Sequence, residues 1–199
     1  DEDRSGNLIR TLTSHLFRLC KEFLVQIELE NQNTTKQYLL LNQLRKRRLY
    51  KEFDKEFDNR HNQGQEISKG SVGYFVNEFL LSAVKRDCSL NRDDFENSVE
   101  YTIRASENIL TAALISCFKF EDEKNLATAY NIIPRSNMLQ PLLDHLDSEK
   151  LLPALKENSP AYFPYVEIFH SIYMMHKFRD NTAYYFSLKE QLKKHSAIF

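Results

Sequence analysis

Residues 74–133 contain neither glycine nor proline. All four glycines lie at or before Gly73, and all five prolines lie at or after Pro134. Because these two residues are the strongest breakers of a helix, a window without them favours long helices. The scarcity of glycine also argues against phosphate-binding loops, dinucleotide-binding turns and a sheet built from tight hairpins. The chain is therefore predicted to be an all-α protein.

Apolar residues recur every three or four positions in three segments, which predicts helices that turn an apolar stripe toward a core. The stripes comprise Leu8, Leu12, Leu16, Cys20, Phe23 and Ile27; Phe95, Val99, Ile103, Leu110, Leu114 and Cys117; and Tyr162, Tyr165, Phe169, Ile172, Tyr173 and His176. With the capping signals added, the predicted helices are 7–30, 34–46, 49–59, 70–86, 92–118, 122–132, 138–146, 149–157, 161–177 and 182–195.

The region around residues 38–57 shows how the helices are connected. Leu40 and Leu44 lie on one helix face, whereas Tyr50, Phe53 and Phe57 lie about 120–240° away at 100° per residue. One straight helix would not bury both faces, so the sequence predicts a charged corner between two antiparallel helices. The same pattern of helix, charged corner and helix recurs at 109–132 and 168–192, with corners at 119–124 and 177–181.

Helical hairpins in series are typical of an α-solenoid, and this layout resembles tetratricopeptide-type helical repeats. The diagnostic Trp-Leu-Gly-Tyr pattern is absent and the chain has no tryptophan. The resemblance implies antiparallel hairpins stacked as an irregular superhelix, with a compact α-helical bundle as the alternative. We expect a single domain over residues 1–199. Because it ends on Ala197-Ile198-Phe199, we expect it to be the N-terminal part of a longer chain.

The basic run Arg45-Lys46-Arg47-Arg48 is the strongest local charge feature. A phosphate or nucleic-acid contact is one interpretation of it, and a nucleic-acid-associated helical protein is therefore an alternative function. The net charge of the chain is only −1, however, and acidic residues interleave with the lysines that follow the run. A solvated corner between helices is favoured, and nucleic acid is not the expected partner.

Glu167 and His170 stand three positions apart, as in one half of a di-iron carboxylate site. A helical metal-dependent enzyme around these two residues is the second alternative. Such a site requires a second Glu-x-x-His motif and two further glutamates, and no second motif is present. The sequence predicts no metal, no cofactor and no catalytic residue, and the protein is expected not to be an enzyme.

Tyrosine and phenylalanine supply 24 rings, concentrated in the last forty residues. Neighbouring aromatic residues on a helix point about 100° apart, so some of them cannot face a single core. Tyrosine and arginine are enriched where proteins bind one another. We therefore expect a non-catalytic scaffold that binds a protein or peptide partner through Arg45, Arg47, Arg48, Tyr162, Tyr165, Tyr184 and Tyr185.

The location of the protein is predicted from its cysteines and its hydropathy. The three cysteines are odd in number and far apart in sequence, which favours reduced thiols and a cytoplasmic protein. The longest strongly apolar run, residues 109–118, is about half the length that a membrane span needs. No membrane partner is expected, and the sequence leaves the oligomeric state open.

Overall fold

The computed structural model of the protein describes residues 2–59, 70–130, 143, 148–178 and 182–195. These residues form eight α-helices and no strand, which confirms the all-α prediction. The chain divides into two compact units, Asp1–Glu66 and Ile67–Phe199. The predicted helix at 138–146 lies outside the described residues except for Leu143, and the expectation of one continuous array stays a prediction.

The first unit contains three helices, α1 (Glu2–Asn31), α2 (Asn33–Lys46) and α3 (Tyr50–Asn59). The corner predicted near residues 45–48 is confirmed, since α2 ends at Lys46 and packs against α3. Leu41, Phe53 and Phe57 are buried in this unit, and the two rings stack with their centroids 5.9 Å apart. Leu40, which the helical phase placed on the packed face, is 44% exposed, so the buried face of α2 is centred one position later.

The corner between α2 and α3 is held by backbone hydrogen bonds. The amide of Leu49 donates to the carbonyl of Leu44 at 3.0 Å, and Arg48 has a positive φ of 58°. This combination is a common way to end an α-helix, in which one residue after the helix adopts the left-handed backbone conformation and is usually glycine. A residue with a Cβ atom loses about 1 kcal/mol in that conformation. The corner is therefore formed in spite of Arg48.

The apolar stripe predicted on α1 is exposed from Leu12 to Ile27, and the prediction that these residues face a core is wrong. In this unit α1 contacts α2, a contact that leaves Leu12, Leu16 and Phe23 each about three-fifths exposed. The spacing of apolar residues shows that a helix has an apolar face, but it does not show what covers that face.

The second unit contains five helices: α4 (Val72–Leu90), α5 (Phe95–Ala129), α6 (Ser148–Asn158), α7 (Phe163–Lys177) and α8 (Thr182–Lys194). Helix α5 is central, because it packs against both α4 and α7. Helix α7 also packs against α6 and α8. The hairpin predicted at 168–192 therefore corresponds to α7 and α8, and most of its corner lies outside the described residues.

Helix α5 runs without interruption through residues 119–124, so the predicted corner at that place is wrong. Glu121 is turned inward, and its carboxylate accepts a hydrogen bond of 2.8 Å from Nζ of Lys124. Lysine and glutamate are good helix formers, and residues three apart lie on the same helix face. In α5 the charged run therefore continues the helix.

Two groups of buried side chains form the core around α5. In the first, Phe75 of α4 packs against Ala112 and Ile115 of α5 and makes an edge contact of 5.1 Å with the ring of Tyr165. The second group lies further along α5 and contains Leu114, Phe118, Leu143, Leu155, Val166 and Tyr173. The two groups of buried side chains together determine which side of α5 faces the core.

Candidate protein-docking surface

Helix α5 buries one side of its surface and leaves the other exposed. Ala105, Ala112, Ile115 and Phe118 are at most 3% exposed and face the packed elements of the unit. At about 100° per residue, these buried positions lie on the half of the helix opposite Phe95. The small side chains of Ala105 and Ala112 leave room for a neighbouring helix to approach closely.

The opposite side of α5 presents a row of large apolar side chains to solvent. Phe95, Val99, Ile103, Leu110 and Phe120 are 65, 59, 55, 48 and 58% exposed and are named here the α5 stripe. They fall within an arc of about 100° and extend along about 38 Å of helix. Exposed Ser106 and Ala113 occupy the positions between them. The stripe is therefore continuous from Phe95 to Ala113, and half-buried Cys117 separates this part from Phe120.

The first residues of this stripe were expected to face a core, and that prediction is wrong for Phe95, Val99, Ile103 and Leu110. Leu114, from the same predicted stripe, is buried and Cys117 is half-buried. Helix α5 carries apolar or small residues on both of its sides, so periodicity alone selects neither. Phe120 belongs to the exposed side and was missed, because the predicted corner ended the helix before it.

Carboxylates line one edge of the α5 stripe. Glu96 and Glu100 are exposed, and each of them follows a stripe residue by one position. Glu100 forms an ion pair of 2.7 Å with Arg104 one turn later. Two carboxylates thus border the apolar row, one of them paired with Arg104, and they favour a partner that carries lysine or arginine at its own edge.

Polar contacts join the segment before α7 to α5. The hydroxyl of Ser159 donates to Oε1 of Glu107 at 2.7 Å, and Nδ2 of Asn108 donates to the hydroxyl of Tyr162 at 3.3 Å. Burial, and after it the charge of Glu107, raises the pKa of Tyr162. The Tyr162 hydroxyl therefore stays protonated at neutral pH, and its role here is to accept the hydrogen bond from Asn108. These contacts hold α5 in the orientation that exposes its stripe.

The three arginines predicted as partner contacts lie at the corner of the first unit. Arg45 is half-buried, and its guanidinium donates to Oδ1 of Asn42 at 2.9 Å. Arg47 and Arg48 are exposed. Only two of the three are therefore fully presented to solvent, which is a small electrostatic site for a phosphate backbone.

The four predicted tyrosines have different surroundings. Tyr162 and Tyr165 are half-buried, and both rings pack against Phe75. Tyr184 is half-buried and stacks on Phe178 at 5.6 Å between centroids. Tyr185 is 54% exposed. Their role in binding a partner stays a prediction, with Tyr185 the most accessible of the four.

The structure brings Glu167 and His170 into different contacts. Oε2 of Glu167 lies 3.5 Å from Nε2 of His195, whereas the ring of His170 makes an edge contact of 5.4 Å with Phe118. Burial lowers the pKa of His170, so its imidazole is neutral at pH 7. Within the described parts of the chain, no group of three histidine, cysteine or acidic side chains could hold a metal ion.

One polar pair was not anticipated. Nδ1 of His176, at the end of α7, contacts Oδ1 of Asp122 in α5. The two residues are 54 positions apart, and the sequence carries no local signal that joins them. Their contact fixes the end of α7 against α5.

Comparisons with protein-family models, with curated proteins and with solved structures give no match to this chain. In the described helices, no segment is long and apolar enough to span a bilayer.

Proposed function

We propose that the protein is a non-catalytic helical scaffold for protein–protein interaction and that the α5 stripe is its docking surface. One observation carries this proposal: α5 is packed on one side and exposes a row of large apolar side chains on the other. The row comprises Phe95, Val99, Ile103, Leu110 and Phe120. With Ile109, these side chains expose on the order of 600 Å², since a buried ring covers about 150–250 Å². That area is at the upper limit for a monomer's largest apolar patch, which is often functional.

The proposed fold is an irregular α-solenoid of hairpins, similar in layout to tetratricopeptide repeats, with a compact bundle as the alternative. The recurrence of one corner geometry supports a series of hairpins. Between α4 and α5, the amide of Asp94 donates to the carbonyl of Ser89 at 3.0 Å and Asp93 has a φ of 57°. This corner repeats the geometry at Arg48 in the first unit. We also propose a cytoplasmic location, in keeping with three cysteines that form no disulfide with one another.

The partner that fits the α5 stripe is an amphipathic helix. A helix with apolar residues at positions i, i+4, i+7 and i+11 presents a row about 17 Å long, which fits within the part of the stripe from Phe95 to Leu110, about 23 Å long. Glu96 and Glu100 at the edge of the α5 stripe would attract lysine or arginine placed beside the apolar residues of the partner helix. Aromatic Phe95 at one end of this part is a suitable anchor.

The test measures binding of a designed twenty-residue peptide with leucine at those positions and lysine beside them. Fluorescence anisotropy with the full chain is expected to show saturable binding. A peptide of the same composition in scrambled order, which forms no apolar face, is expected to bind at least tenfold more weakly. Equal binding of both peptides, or binding of neither, would exclude the proposed docking mode.

Two matched valine substitutions locate the peptide on the surface. Val99→Asp, in the α5 stripe, is expected to weaken binding at least tenfold. Val76→Asp, at a position in α4 that is 37% exposed, introduces the same charge and is expected to change it less than twofold. Circular dichroism of both variants checks that they fold. An equal loss in the two variants would show that the peptide responds to net charge and not to the stripe.

A further inference from the structure

Helix α1 carries a second exposed apolar face. Seven large side chains between residues 12 and 27 are 39–64% exposed, and with exposed Cys20 they fall within an arc of about 160°. This set is named the α1 face and comprises Leu12, Leu16, Phe17, Leu19, Cys20, Phe23, Leu24 and Ile27. The charged side chains of the same segment, Arg10, Arg18, Lys21, Glu22 and Glu28, all lie outside that arc.

The area of the α1 face matches half of a stable interface. Seven side chains that expose on the order of 100 Å² each present about 700 Å². Two such faces together would bury about 1,400 Å², and specific interfaces bury about 1,200–2,000 Å². A long helix with little packing is also marginally stable in water, because most helical stability comes from burial of an apolar face. Covering the α1 face therefore stabilises the helix itself.

The spacing of the α1 face is self-complementary when two helices run antiparallel. With a twofold axis between residues 19 and 20, Leu12 lies level with the second copy's Ile27, Leu16 with its Phe23 and Leu19 with its Cys20. A twofold axis requires such reciprocal pairs. These three pairs each join one apolar residue to another, whereas Phe17 and Leu24 lie level with Glu22 and His15.

Charge selects the antiparallel direction over the parallel one. Arg10 and Glu28 lie at the same angle around α1, on one flank of its apolar face. In the antiparallel register, Arg10 comes within one residue of the level of the second copy's Glu28, and the contact occurs twice. Parallel helices related by a twofold axis would place the two copies of this flank on opposite sides of the interface, where Arg10 and Glu28 would not meet.

We propose that α1 is a homodimerisation helix, which pairs antiparallel with α1 of a second copy through the α1 face. This interface is independent of the α5 stripe. It gives the scaffold two copies of each docking surface, so that a partner with two binding segments would bind with avidity.

Sedimentation equilibrium of the full chain tests the pairing. The unmodified chain is expected to approach twice its mass of 23.6 kDa as its concentration rises. Leu16→Asp, in the centre of the α1 face, is expected to weaken association at least tenfold. Val25→Asp is the matched control, because Val25 is 59% exposed on the opposite side of α1 and should leave association unchanged. A chain that stays monomeric at all concentrations would overturn the proposal.

Disulfide cross-linking tests the direction of pairing. In a Cys20→Ser background, Leu12→Cys and Ile27→Cys chains are mixed and oxidised. Antiparallel pairing is expected to give a cross-link between position 12 of one chain and position 27 of the other. Each variant alone is expected to give little product. Efficient cross-linking of Leu12→Cys to itself would show parallel pairing and would overturn the proposed register.

Discussion

Two isoleucines of α5 offer a direct test of how this helix is oriented. Ile115 is 0% exposed and packs with Phe75 and Ala112, whereas Ile103 is 55% exposed in the α5 stripe. Replacing Ile115 by alanine removes buried carbon atoms and leaves a cavity. Substitutions of this kind cost about 2–5 kcal/mol. That is a large part of the total of about 5–15 kcal/mol that stabilises a typical domain.

The same change at Ile103 is expected to have a small effect. Full burial of an isoleucine contributes about 1.5–3 kcal/mol, and less than half of Ile103 is buried. Alanine is also the better helix former, by a few tenths of a kcal/mol, which offsets part of the loss. The expected net cost of Ile103→Ala is therefore about 0.5 kcal/mol.

Amide hydrogen exchange measured by mass spectrometry on α5 peptides is the suitable assay. The chain contains two compact units, so a single unfolding transition cannot be assumed, whereas exchange reports the stability of each segment. Ile115→Ala is expected to accelerate exchange in α5 far more than Ile103→Ala. Equal acceleration, or a larger effect of Ile103→Ala, would show that the stripe side of α5 is packed and would refute the assigned orientation.

Three further predictions concern single side chains. Arg48→Gly should stabilise the α2–α3 corner by about 1 kcal/mol in exchange measurements, because glycine adopts positive φ without steric cost; a loss of protection would contradict this. Burial lowers the pKa of His170, so the unfolded chain binds a proton at higher pH than the folded chain. Stability should therefore fall as pH drops below about 6.5, the ordinary histidine value, and His170→Gln should reduce the fall in urea denaturation series; an unchanged slope would contradict the assignment. Tyr162→Phe removes the acceptor of the Asn108 hydrogen bond and should cost about 1 kcal/mol. It should also remove one late-titrating phenol from the alkaline absorbance titration, and an unchanged titration would contradict its burial.

The sequence predicted the helices of the first unit well. The phase difference between Leu44 and Phe53 required a break, and the structure has a corner there. The run at 119–124 looked similar because it is also charged, and neither run contains glycine or proline. What separates the two is Glu121, whose burial beside Lys124 is a tertiary feature that local sequence does not encode.

Prediction of the candidate surface was less complete, for a physical reason. A helical stripe indicates that a helix is amphipathic, and Val99 and Ile103 satisfy that pattern as well as core residues do. Whether such a stripe is covered depends on how neighbouring helices pack. Tyr162 is a related case: its role in binding a partner stays a prediction, and its packing against Phe75 could not be read from the local sequence. Contacts between residues distant in sequence decide both cases.

The most direct test of the docking proposal is an alkylation experiment on an Ile103→Cys chain in a Cys20→Ser background. The rate of alkylation is measured with and without the designed amphipathic peptide. The account predicts rapid reaction of the free chain, because position 103 faces solvent, and at least tenfold slower reaction at saturating peptide. Slow reaction of the free chain would show that the α5 stripe is already covered. A rate that the peptide leaves unchanged would show that helices do not dock there.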